Sequence, residues 1–286
     1  MAAIKTISLA FTILLLSSLS SSPQKKSALD LTNQVFKITK AITALEYVMK
    51  RKERVNGELS ESYSYTKLIK KPKLKVYFKQ GLPDSDGLEA LLIDGENENK
   101  AIINPNGFPW FNFWLNPYGN IMRNNQHHTL YDSGFDKVIS ILEHLINKYE
   151  DDIPNLMSVS YDEMYNNIPC FKVTFDNSYY KHIDYTVKND ETVVDIAKKL
   201  MVCGYIILQM NDLDDYKDID EGQVLNVPND YAKKLELLIE KERMIPIVLS
   251  VYDNEGLFEE YEYQELKVNP EFEDDEFTTE YSEYGF

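Results

Sequence analysis

Positive charge is what this sequence has too little of. Thirty Lys and Arg face 47 Asp and Glu in 286 residues, a formal net charge of −17. Such a surface repels phosphate backbones, so no nucleic-acid partner is expected. It also disfavours a polybasic grip on an anionic membrane. Histidine is scarce, limited to His127, His128, His144 and His182. Adjacent residues on a strand point to opposite faces, which makes His127 and His128 a poor ligand pair. Two-Cys zinc spacing, HExxH, a G-x-S-x-G elbow and a phosphate loop are all missing. Metal, cofactor and catalytic residues are therefore expected to be absent, and the chain reads as a non-enzyme. Carboxylates are so abundant that any Asp/Glu pair can be imagined as acid and base, which excludes nothing. The two cysteines, Cys170 and Cys203, are permitted a disulfide in an oxidising compartment. Packed free thiols are the expected state, because free Cys behaves as a small buried hydrophobe. A Cys170–His182 dyad is conceivable, but Cys170 beside Phe171 on a strand reads as packing.

Long apolar runs are also missing, apart from the N-terminus. Lys5, the apolar stretch Ile7 to Leu16 and the small residues Ser17 to Ser22 follow the pattern of an export signal. The stretch is too short for a comfortable transmembrane span. A signal over residues 1–22 and a periplasmic or otherwise exported location are the expectations.

What is present is a generous core. The chain is 43% hydrophobic, with 20 Tyr and 13 Phe, which argues against general disorder. Its length suits one large domain or two smaller ones. Leu31, Val35, Ile38, Ile42, Leu45 and Met49 recur at spacings of three and four, which predicts a long amphipathic helix. Tyr63 to Thr66 and Leu74 to Phe78 alternate as half-buried strands do. Ala90 to Ile93 and Ala101 to Ile103 flank a short polar loop of hairpin character. Phe135, Val138, Leu142, Leu145 and Tyr149 give a second helical stripe. Strands are expected over Met157 to Tyr165 and Cys170 to Phe175, and a helix near Tyr231 to Glu242. A final hairpin turns at Asp253 to Gly256. The charge run Glu273 to Glu276 reads as a solvated face. The segment NPNGFPWFNFWLNPYG, residues 104–119, mixes helix and strand breakers with bulky rings. Trp110, Phe111, Phe113 and Trp114 are expected either to plug the core or to form the lid of an apolar cavity, the plug being the more ordinary outcome.

Residues 185–228 read strand, turn, helix, helix, strand. Thr192 is placed to cap the first helix, with Asp195 as partner. The segment resembles a lysin motif (LysM), the small βααβ module that binds N-acetylglucosamine glycans such as peptidoglycan. The resemblance rests on Tyr185-Thr186-Val187, Glu191-Thr192, Ile196-Ala197, Asn211, Gly222-Gln223 and Leu225-Asn226-Val227-Pro228. It implies a glycan groove formed by Asn189, Asp190, Glu191 and Thr192 on one side and Asn211, Asp212, Leu213 and Tyr216 on the other. Tyr216 is the expected stacking platform for a sugar face. The sequence departs from the motif at its first turn, where Asn189-Asp190 stands in place of a glycine. The second loop is strongly acidic, which disfavours anionic muropeptides.

The flanking chain, with NPNGFPWFNFWLNPYG and VYDNEGLFEEYEY, resembles an uncharacterised bacterial family of exported domains related to the periplasmic lipoprotein-carrier fold. The resemblance implies an α+β fold: an incomplete antiparallel β-barrel covered by helices, over residues 29–182 and 229–286, with the LysM domain inserted at 183–228. The implied partners are peptidoglycan or another glycan, and a lipid or lipoprotein. Three functions follow: a carrier-like envelope protein, a structural or protein-interaction protein with a closed cavity, and, least supported, a cell-wall hydrolase.

Overall fold

The computed structural model describes residues 25–286. The expected export signal lies outside the described residues. Helix α1 (Ala28–Ala41) starts at Ser27, whose hydroxyl accepts from the Asp30 N–H at 3.1 Å while the Asp30 carboxylate accepts from the Ser27 N–H. This reciprocal cap satisfies two backbone donors that the first turn leaves free. Leu31, Val35 and Phe36 form its buried stripe. The expected helix ran on to Met49, but the chain leaves α1 at Ile42 and becomes strand β1 (Ala44–Val55). There β2 (Glu58–Ile69) and β13 (Gly256–Val268) pair with it on its two sides. Two ladders along β1 outweigh the helical periodicity that the sequence carries into this stretch.

The remaining strands are β3 (Lys75–Gln80), β4 (Glu89–Ile93), β5 (Ala101–Asn104), β6 (Phe113–Leu115), β7 (Met157–Tyr165), β8 (Ile168–Asp176), β9 (His182–Thr186), β10 (Val224–Pro228), β11 (Lys234–Glu240) and β12 (Pro246–Asp253). Eleven of the thirteen strands form one antiparallel sheet in the order β6-β5-β4-β3-β2-β1-β13-β12-β11-β8-β7. Strands β6 and β7 end it without pairing with each other, so the sheet is open, as an incomplete barrel requires. The helix expected near Tyr231 to Glu242 is strand β11. Leu235, Leu237 and Ile239 are buried in alternation, the period of a strand.

Helix α3 (Asp136–Lys148), the second stripe, and α1 cover one face of this sheet, α1 packing on β7 and β8. The short helices α2 (Asn120–Arg123) and α4 (Ile153–Leu156) punctuate the connections. On a separate small cluster Phe277, from the C-terminal tail, packs with Tyr77 and Leu91. Tyr284 stacks on Tyr77 with ring centroids 3.7 Å apart. Glu276, expected in a solvated run, is buried there against Lys67.

Between β8 and β11, which pair directly with each other, the chain makes a separate unit. Strands β9 and β10 form its two-stranded sheet, with α5 (Val193–Leu200) and α6 (Gly204–Met210) between them in sequence. The βααβ order expected for residues 185–228 is thus the observed one. Its two connections run side by side: the Asn229 N–H donates to the Lys181 carbonyl at 3.0 Å and the Asn177 N–H to the Lys233 carbonyl at 2.7 Å. The apolar interior of the unit is continuous with the main core.

Candidate functional site: a cavity walled by Glu259

A cavity of about 300 Å³ lies between the sheet, α3 and the segment that runs from β6 to α3. Its lining is chiefly apolar, with Met49, Phe78, Leu88, Phe113, Met122 and Ile141 among the contributors. That volume and lining fall at the small end of what ligand pockets use. Alternation along β5 and β6 sends Ile103 and Phe113 inward while Ile102 and Trp114 face away.

One wall is polar. Glu259 on β13 is 1% exposed, and four side chains surround its carboxylate. His127 Nδ1 lies 2.8 Å from Oε2 and His128 Nε2 lies 3.2 Å from the same oxygen. The Tyr231 hydroxyl donates to Oε1 at 2.7 Å. The Tyr261 hydroxyl sits 2.6 Å from Glu53 Oε1 and 3.1 Å from Glu259 Oε2. A buried carboxylate needs such partners, since an unpaired one costs several kcal/mol. Burial works against the Glu259 charge, but His128 and His127 hold its carboxyl well below the usual carboxylate range. Burial likewise opposes a charged His128, yet Glu259 and Asp132 raise it to about 10. Asp132 is held low by the same imidazole. The hydroxyls of Tyr231 and Tyr261 are pushed up by burial and by Glu259.

His127 and His128, which strand geometry had separated, lie in a loop before Leu130 and converge on one oxygen. The signal was absent from the sequence because the partner carboxylate stands 132 and 131 positions away. His127, Cys203 and Glu259 bring three ligand-type atoms within 4.8 Å of one another. However, His127 Nε2 lies 3.1 Å from the Arg54 carbonyl and Nδ1 faces Glu259. Both ring nitrogens are committed to acceptors, so a metal would have to displace one of them. Burial, then Glu259, push the Cys203 thiol up to about 12, which makes it an unreactive protonated group. Cys170 is buried as well, and both cysteines are free thiols.

The residues expected in the two sites are redistributed. Of the aromatics at 104–119, Phe113 lines the cavity, but Trp110, Phe111 and Trp114 are 81%, 65% and 54% exposed. They are neither plug nor lid: the β5–β6 hairpin carries them outward. In the βααβ unit the two expected loops do meet, the Val193 N–H donating to the Tyr216 carbonyl at 2.9 Å. Asn189, Asp190 and Asp212 are exposed and Leu213 partly so. Asp190 adopts φ 59°, the left-handed conformation that the missing glycine would supply. Glu191 is occupied by Tyr185, Lys188 and Lys199, and Thr192 caps α5 with Asp195 as expected. Asn211 is spent within the fold, bonded to Ile207 and Asn226. Tyr216 corrects the expectation of a stacking platform. It is 4% exposed and its ring face is covered by the Arg123 guanidinium at 3.9 Å.

A family model described as a protein of unknown function, DUF1571, matches residues 42–209. That is more than half of the chain. The chain belongs to this DUF1571 family. The match spans β1 through most of α6, so it includes His127, His128 and Cys203 but not Glu259. No curated protein matches the chain. Among solved structures, this DUF1571 chain is similar to MucB of Pseudomonas aeruginosa in the MucA/MucB complex, at 11% identity and a TM-score of 0.38, over 88% of this chain and 60% of that one. It thus spans about three fifths of the MucB length. It is also similar to the lipoprotein LppX of Mycobacterium tuberculosis, at 11% identity and a TM-score of 0.41, covering 86% and 97% of the two chains. A LolA superfamily protein from Nitrosomonas europaea aligns at 9% identity and a TM-score of 0.33, over 90% and 100%.

Proposed function

We propose that this DUF1571 chain is an exported, carrier-like binding protein. The cavity under α3 takes one apolar chain of a lipid or lipid-modified ligand, and the Glu259 wall takes the polar end of that ligand. The observation that carries this reading is the juxtaposition itself: a chiefly apolar lining with a pre-organised polar cluster in one wall. Such a pattern fixes a ligand's orientation while burying its hydrocarbon. Binding is favoured over catalysis because the carboxylate is already held by four protein side chains, with only Tyr231 on Oε1, and the nearby thiol is protonated. Organic extracts of the native protein should contain a co-purifying lipid by mass spectrometry. A fluorescent fatty acid should bind at micromolar concentration, and Met49→Trp, which fills the space, should abolish that binding. If the extracts hold no lipid and no fatty acid binds at micromolar concentration, the reading is overturned in favour of a closed, protein-interacting domain. The native tryptophans would not report such a ligand, because neither lines the cavity.

The βααβ unit supports a second, weaker role as a lysin-motif-like contact for neutral N-acetylglucosamine glycans. The observation behind it is the joined pair of loops with Asn189, Asp190, Asp212 and Leu213 on their outer side. Amide NMR shifts in both loops on addition of chitin oligomers to the full chain would support it, and shifts in neither would sink it.

A further inference from the structure

From Ala101 through Met122 the chain carries no charged residue, although 27% of the whole sequence is charged. This run contains both tryptophans of the protein, Trp110 and Trp114. It also contains the most exposed large apolar side chains of the described residues. Phe108 is 86% exposed, Trp110 81%, Ile121 75% and Phe111 65%. Exposed apolar residues scattered singly need no explanation, but a contiguous group does. Here Phe108, Trp110 and Phe111 crowd the tip of one hairpin, whose last pair is Ile103 with Phe113.

The tip is built to hold them out. The Phe111 N–H donates to the Pro109 carbonyl at 2.8 Å, the Asn106 N–H to Asn104 Oδ1 at 2.9 Å, and Asn106 Nδ2 to the Gly87 carbonyl at 2.6 Å. Backbone donors satisfied locally can enter a poorly hydrated environment at little cost. The tip is also continuous with the cavity, because Phe113, Leu115, Pro117 and Ile121 of the same run line it.

We propose that the β5–β6 hairpin tip is a membrane-docking element, inserting Phe108, Trp110 and Phe111 into the interface of an electrically neutral bilayer. Trp and Phe rings settle at the boundary between headgroup and acyl chain, where an apolar body and neutral polar neighbours such as Asn106 and Asn112 are both accommodated. The absence of charge across the run removes the desolvation cost that Lys or Glu would add. A net charge of −17 opposes both an anionic bilayer and a second copy of this chain as the occupant. The inference stands on exposure and charge, independently of whether the cavity holds a ligand.

The test uses the full chain and vesicles of phosphatidylcholine. Both tryptophans lie in the run, so intrinsic emission reports on it without a label. Expected are a blue shift on adding vesicles, quenching by brominated phosphatidylcholine, and co-sedimentation that survives about 1 M salt, where surface electrostatics are screened. The double variant Trp110→Ser, Phe111→Ser should keep its circular dichroism and thermal midpoint, since both side chains are exposed, and should lose about tenfold or more in co-sedimentation. Absence of a shift and of co-sedimentation for the unaltered chain would overturn the proposal. So would a blue shift that grows with protein concentration without lipid and vanishes in the variant, which would assign the tip to self-association.

Discussion

The backbone N–H of Asn56 donates to the Tyr205 hydroxyl at 2.9 Å, joining the β1–β2 hairpin tip to helix α6 of the βααβ unit. The Tyr205 ring stacks on His127, which in turn holds Glu259. The unit is therefore docked on the wall of the cavity and not merely strung from the sheet. Tyr205→Phe keeps the ring and removes the acceptor, and it should cost about 1 kcal/mol in urea unfolding. Excision of residues 183–228 should leave a β-rich chain, since the two connections lie side by side, but with a lower thermal midpoint. The intact chain should unfold in one transition. Two well-separated transitions would contradict the shared core.

His128 gives stability a defined pH dependence. Its folded pKa of about 10 lies above the ordinary 6.5. The stabilisation is therefore complete below pH 6.5 and is lost as pH rises towards 10. Glu259 and Asp132 are shifted down, so their contribution holds above their ordinary values and is lost only in acid. Stability should be highest near pH 5 to 6.5 and fall through the alkaline range. His128→Gln should cost roughly 3 kcal/mol at pH 6, because it strips a buried carboxylate of a partner. The gap between the two proteins should narrow by pH 10; a constant gap would show that the imidazole carries no charge.

Asp190 holds φ 59° without being glycine. Asp190→Gly relieves that strain and should raise stability by about 0.5 kcal/mol after the entropy of the unfolded chain is counted. The same substitution opens the first turn, so it should strengthen any glycan shifts in that loop. A destabilised Asp190→Gly chain would mean that the Asn189–Asp190 side-chain contact matters more than the backbone.

Cys170 and Cys203 should resist modification. Both are buried and free, and burial raises both thiols. Native protein treated with iodoacetamide near neutral pH should gain no mass, while denatured protein should gain two adducts. Rapid labelling of either thiol in the native state would contradict the packing.

The βααβ unit was legible in the sequence because its signals are local. The Thr192–Asp195 cap and the strand Val224–Pro228 each depend on neighbours within a few positions, as does the β12–β13 turn at Asp253 to Gly256 in the main sheet. The cavity wall was not legible, because His127, Tyr231 and Glu259 meet only through tertiary folding. Tyr216 read as a free platform because nothing near it in sequence announces Arg123. The helical reading of Ile42, Leu45 and Met49 failed where two flanking ladders took the backbone. The aromatic run was read as buried on the ordinary habit of such residues, whereas hairpin geometry turned its tip outward.

The strand order has a consequence for assembly. Strands β1 to β6 add to one another in sequence order, and β7, β8, β11, β12 and β13 build the other half. The two halves meet only at the seam of β1 with β13, where Leu45 faces Val268. Closing that seam requires more than two hundred intervening residues to be in place, so it is expected to be the last and slowest event. Until then β1 presents an open edge ready to pair with any available strand. A chain cut short before Gly256 would keep that edge permanently and would be drawn into intermolecular pairing, while the completed chain buries it in the middle of its own sheet.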